Sequence, residues 1–235
     1  MIPLRDDVPA RRFPMVTVGL LVMNVVVFLV EFLMGPSAND LILMFGITPA
    51  RLTTGWSNPS VLFTLVTSMY MHGGWAHLLG NMMYLWIFGD NVEDRMGQVG
   101  FFIFYTLCGV VSGLLQVWAA PGSTIPIIGA SGAIAGVLGA YILLYPRARV
   151  RTLVPSFMFY RSVWLPAIIV LGGWFAIQLL NGLAALSVDV QTGGVAWWAH
   201  IGGFVAGMGL MPVFRQMNYT PPPGPTYPQY YTRRY

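Results

Sequence analysis

The stretch Gly129-Ala130-Ser131-Gly132-Ala133-Ile134-Ala135-Gly136 sets a serine among small residues, at the head of an apolar run that continues to Tyr145 and stops at Pro146-Arg147. Read as a helix from Ser131 to Arg147, the segment is roughly 24 Å long, against roughly 30 Å for the hydrocarbon core of a bilayer. With Arg147 at one membrane face, Ser131 lies inside the membrane, short of the opposite face. A Gly-x-Ser-Gly tetrapeptide alone says little. The depth of this serine, and the polar groups that share it, carry the reading.

The composition supports a membrane environment. The chain has 235 residues, 56% hydrophobic and 9% charged, where soluble domains carry about 25% charged residues. It is read as an integral membrane protein. Its twelve basic residues are all arginine, against eight acids, for a net charge of +4. They cluster in short connections between apolar runs, which suits membrane topology better than a nucleic-acid surface; no nucleic-acid partner is expected. The single cysteine, Cys108, has no internal disulfide partner. The first apolar run is long enough to span and has no small-residue cleavage site behind it, so it is not read as a signal peptide.

Taken in order, residues 1–14 read as a cytoplasmic N-terminal lead. Residues 15–34 are the first span, and residues 35–75 a long external loop that needs structure of its own. The second span begins at Ala76 and ends in Asp90–Arg95. The third covers 100–120, the fourth 131–145, the fifth 162–183 and the sixth 195–214. Residues 215–235, rich in proline and tyrosine, read as a disordered cytoplasmic tail. With six spans, both termini share a side with the connections after spans two and four. That side holds eleven of the twelve arginines, all but Arg51, and the positive-inside rule makes it cytoplasmic. The fold class expected is all-α: a polytopic bundle of six transmembrane helices, with 15–214 as the catalytic domain.

Spans two, four and six run in the same direction. Ser131 lies 16 positions before Arg147, His200 lies 15 before Arg215, and His77 lies 16 before Glu93. Each offset is roughly 23–24 Å of helix, so the three side chains are expected at one level. Asn81 follows His77 by one helical turn on the same face. Polar groups within spans are costly and face the protein interior. Gly132 with Gly136, and Gly203 with Gly207, form small-xxx-small pairs that let spans four and six approach closely. A serine needs a base, and a histidine suits that role. The developing oxyanion needs fixed donors, for which His77, Asn81 and the Ser131 backbone N–H are candidates. Asp189 is eleven positions from His200 in a loop, so a Ser131–His200 dyad is expected in place of a triad.

At these residues the chain resembles the rhomboid family of intramembrane serine proteases. The matches are His77-x-x-x-Asn81, Gly89-x-x-x-Glu93-x-x-x-Gly97, Gly129-x-Ser131-Gly132 and Ala199-His200-x-Gly202-Gly203-x-x-x-Gly207, with Thr67–Trp75 resembling the stretch before the second span. The resemblance implies a six-span core around a water-accessible cavity. It implies Ser131 as nucleophile, His200 as base, and His77 and Asn81 as oxyanion stabilisers. Substrates would be membrane-anchored proteins cut in or near a transmembrane segment, with no cofactor. It also implies movement of span five and of the loop before span six for substrate entry. Two departures stand out. Many members carry Trp-Arg in the first loop, where this chain has Phe63-Thr64. Many also carry an aromatic residue four positions after the serine, packed on the histidine, where this chain has Ala135. Trp197 and Trp198 are the candidates to fill that gap.

The competing function is a catalytically silent rhomboid-like protein that binds membrane clients. A transporter would show a through-path or an inverted repeat, and neither is visible. A metal site from His72, His77 and His200 has no H-E-x-x-H and no carboxylate at that level, so no metal is expected. A bacterial or archaeal plasma membrane is the expected location. The sequence leaves the oligomeric state open.

Overall fold

The computed structural model describes residues 1–156, 159–186 and 194–215. The tail 216–235 and Asp189 lie outside the described residues. Six longer helices form the body: α1 (Met15–Met34), α5 (Trp75–Met96), α6 (Gln98–Ala119), α7 (Ser131–Leu144), α8 (Ala167–Ala185) and α9 (Trp197–Phe214). Between α1 and α5 lie the short helices α2 (Ala38–Phe45), α3 (Pro49–Thr54) and α4 (Pro59–Thr67), so the long loop does carry its own structure. Among the described residues three helical stretches are long and apolar enough to cross a membrane, Met15–Phe45, Gln98–Ala119 and Ala167–Ala185, and α7 is apolar but shorter.

Helix α7 is the centre of the bundle. Every residue from Gly132 to Ile142 is buried, as expected of a helix that is apolar all round. Its closest neighbour is α9, and glycine makes the approach possible. A Cβ on Gly203 would sit 1.9 Å from the Gly132 carbonyl oxygen, and one on Gly207 would sit 2.0 Å from that of Gly136. Backbones in such contact exclude any side chain at these positions. The core continues through Phe88, Phe101, Phe104, Tyr105 and Tyr141, all fully buried. Helix α1 joins at the edge, where Glu93 of α5 caps it. The Glu93 carboxylate accepts hydrogen bonds from Val16 N (3.0 Å), Thr17 N (2.7 Å) and Thr17 Oγ1 (2.7 Å). Pro14 offers no side-chain cap, so an acid from another helix satisfies the orphan N–H groups and meets the positive end of the dipole.

The all-α expectation needs a correction. Strands β1 (Ile2–Asp6), β2 (Arg149–Ser156) and β3 (Phe159–Pro166) form an antiparallel sheet in the order β1-β2-β3. Residues 1–14 are therefore more than a lead, since Ile2 pairs with Leu153 and Asp6 with Val150. The fifth span does not begin at Ser162: residues 159–166 are strand and α8 starts at Ala167. Proline explains the boundary. It disfavours helix at the residue before it and opens a helix readily, and Pro166 stands at the N-cap of α8. The alternation in β2 puts Val150 and Thr152 inside and Arg149 and Arg151 outside. Asp6 ties β1 to the bundle, accepting from Tyr141 Oη of α7 and from Asn91 Nδ2 of α5 at 2.9 Å. Burial pushes the Asp6 carboxyl up to about 6.

Candidate active site

Ser131 is the first residue of α7 and opens onto a cavity of about 970 Å³ at the end of the molecule opposite the sheet. As a first-turn residue it carries one of the N–H groups that no intrahelical carbonyl can satisfy. The glycine contacts between α7 and α9 bring His200 across, and His200 Nε2 lies 2.8 Å from Ser131 Oγ. The small residues thus set the backbone separation that lets one hydroxyl reach one imidazole.

His77 and Asn81 line the same cavity from α5. Gly129 shows why they stand so close to the serine. Its φ is +121°, a conformation that favours glycine, and a Cβ there would meet His77 Nε2 at 2.6 Å and Asn81 Nδ2 at 3.7 Å. The Gly129 N–H is fixed by the Ser68 carbonyl at 2.9 Å. Asn81 is held from behind, with Nδ2 2.9 Å from His72 Nε2. The backbone N–H of His72 donates to Glu31 Oε2 of α1 at 3.2 Å. One proton of the Asn81 amide is thereby engaged, and the second is available to the cavity. His72 accordingly stands behind the site and orients Asn81.

The structure brings together Ser131, His200, His77, Asn81, Gly129 and Gly132, with Gly203 and Gly207 supporting them. Glu93 stands apart at the capped end of α1. Among the described residues no cluster of three histidine, cysteine or acidic side chains is arranged to hold a metal ion.

Two neighbours of His200 escaped the sequence reading. Gln178 of α8 places Oε1 2.7 Å from His200 Nδ1. Trp174, one turn earlier on α8, lies against the imidazole with ring centroids 5.6 Å apart and planes tilted by 36°. Trp197 meets the ring only edge-on at 6.5 Å, and Trp198 packs on Trp118. A polar residue in an apolar helix was the available signal for Gln178, since such groups turn inward. Gln116 of α6 adds a further brace, accepting from the Ala199 N–H at 3.1 Å.

Comparison with known proteins gives this geometry a context. The rhomboid domain matches residues 59–217. The chain is similar to the mitochondrial rhomboid protein 1 of Saccharomyces cerevisiae, with 28% identity over 62% of this chain and 40% of that protein. It is also similar to the rhomboid protease GluP of Bacillus subtilis, with 30% identity over 77% of this chain and 31% of the relative. The mouse presenilin-associated rhomboid-like protein, also mitochondrial, shares 32% identity over 65% of this chain and 39% of its own length. The chain therefore spans less than half the length of each of these relatives. They come from mitochondria and from a bacterium, so they point to a membrane and not to one compartment.

Proposed function

The chain belongs to the rhomboid family, and on that premise we propose that it is an intramembrane serine endopeptidase cleaving membrane-anchored proteins in or near a transmembrane segment. The observation that carries the reading is the 2.8 Å separation of Ser131 Oγ and His200 Nε2 inside a cavity flanked by His77 and Asn81. In this reading α1, α5, α6, α7, α8 and α9 are six spans. The arginine-rich sheet end faces the cytoplasm, and the cavity opens toward the other side.

The chemistry follows from the positions. His200 Nε2 takes the Ser131 hydroxyl proton as Oγ attacks the scissile carbonyl carbon. The carbonyl oxygen becomes an oxyanion, which the free Asn81 amide proton, the His77 ring and the Ser131 N–H are placed to meet. His200 returns the proton to the leaving amine, which departs with the C–N bond. A water molecule then hydrolyses the Ser131 ester with His200 again as base.

The test is labelling of the purified, folded protein with a fluorophosphonate, wild type beside Ser131→Ala and His200→Ala. Labelling that needs both residues is expected. Equal labelling of either variant overturns the dyad. A folded wild type that takes no label favours the silent client-binding alternative.

A further inference from the structure

Of the four side chains described against the His200 ring, Ser131, Gln178, Trp174 and Trp197, two belong to α8, a helix at the edge of the bundle. Ile169, Ile177, Leu180 and Leu183 are exposed along its outer side. It docks on α9, where a Cβ on Gly182 would lie 3.1 Å from Ile201 Cδ1 and 3.5 Å from Trp197 Cβ. On its inner side Gln178 is 5% exposed. The Gln178 amide is oriented by its own helix, because Nε2 donates to the Trp174 carbonyl at 3.3 Å. That leaves Oε1 toward His200 Nδ1 at 2.7 Å. An amide oxygen only accepts, so Nδ1 carries the proton and Nε2 keeps its lone pair for the Ser131 hydroxyl. Trp174, four positions earlier and hence on the same face, fixes the plane of the ring.

Helix α7 offers no aromatic support to the ring one turn after Ser131, where the residue is Ala135, fully buried. The ring support comes from α8.

We propose that Gln178 and Trp174 are positioning residues that select the tautomer of His200 and hold its plane, so that activation of Ser131 requires α8 to stay docked on α9. The proposal rests on the dyad reading above. A hydrogen bond tolerates only a few tenths of an ångström before it weakens, so an outward shift of α8 frees the base. Docking of α8 on α9 and activation of the nucleophile thereby become linked events.

The test is the rate of fluorophosphonate labelling across pH in the 235-residue chain in detergent. Oγ of Ser131 bonds to phosphorus, fluoride leaves, and His200 takes the hydroxyl proton. Gln178→Leu removes the acceptor and is expected to slow labelling by about 10- to 100-fold, the usual cost of a misplaced catalytic group. Gln178→Glu is isosteric and still accepts from Nδ1, so the rate at high pH returns close to wild type. Its carboxylate stabilises the imidazolium, which must lose a proton before acting as base, so the acidic limb of the profile moves to higher pH. Among the described residues, the other titratable side chains lining the cavity besides Ser131 and His200 are His77 and Tyr84 of α5. Both are unchanged in these variants. Trp174→Phe retains most of the rate and Trp174→Ala does not. Wild-type labelling of Gln178→Leu, or an unmoved acidic limb in Gln178→Glu, overturns the proposal. If Gln178→Leu fails to fold, the limb of Gln178→Glu decides. Label that persists in Ser131→Ala defeats the dyad itself, an outcome distinct from failure of the Gln178 role.

Discussion

Gly129 and Asn81 show how little freedom single positions have around the serine. Gly129→Ala combines a conformation unfavourable to any side chain with a 2.6 Å encounter with His77. Labelling of Ser131 should fall to near background even where the protein folds, because the His77 ring must move; an unchanged rate would show that His77 has no part in the site. Asn81→Ala removes an amide and leaves His72 Nε2 without its partner. Cleavage should drop by about 10- to 1,000-fold if the amide meets the oxyanion. His72→Gln, which can still engage Asn81, should retain far more activity than His72→Ala. Turnover of a transmembrane substrate checks both. Asn81 stood out in the sequence because a polar group in an apolar run has few reasons to be there, and Gly129 because it precedes Ser131 in Gly129-x-Ser131-Gly132; His72, in the first loop, carried no such signal. Gln178 carried the signal of a polar group in an apolar helix, but its partner did not show in the sequence. Trp174 is one of many apolar residues in α8, so pairing either with His200 depends on how α8 packs against α9.

At the level of elements, continuous apolar stretches located the long helices closely; α1 coincides with the 15–34 run, and α7 (131–144) ends one residue short of the 131–145 run. The sheet was missed for a physical reason. Val163, Trp164 and Leu165 run straight into the apolar start of α8, and hydropathy alone does not separate strand from span. The break at Pro166 and the alternation Arg149-Val150-Arg151-Thr152 were the local signals that did. Capping was half legible. Glu93 belongs to a recognisable motif, but its carboxylate serves the start of α1, 76 positions away in sequence from Thr17, and long-range partners leave no local trace. Glu93→Ala should leave two N–H groups and the Thr17 hydroxyl without their acceptor. A loss of about 1–3 kcal/mol is expected, read as a lowered thermal transition in detergent. Thr17→Val should cost less, since the two backbone contacts survive. Equal stability of Glu93→Ala and wild type would reduce the cap to a surface contact.

On the scale of the whole molecule, the two ends do different work. One end holds the cavity, and the other is closed by a sheet that joins the N-terminal strand to the segment linking α7 and α8. Asp6 is the joint, bonded to Tyr141 on α7 and to Asn91 on α5. Its carboxyl is raised to about 6 from an ordinary 3.8, chiefly by burial, with Asp7 adding repulsion and the Tyr141 hydrogen bond opposing both. The folded state thus favours the protonated acid more than the unfolded chain does. Its contribution to stability is complete below pH 3.8 and is lost as pH rises through about 6. Asp6→Asn keeps the shape and an acceptor oxygen but cannot ionise. The thermal transition of wild type relative to Asp6→Asn should therefore fall between pH 4.5 and pH 7.5, with both measured in an Asp90→Asn background because the Asp6 charge acts on the Asp90 carboxyl. A difference that stays flat would place Asp6 in solvent-like surroundings. One that grows with pH would mean that the Tyr141 and Asn91 donors outweigh burial and that the ionised carboxylate is the form that closes this end of the bundle.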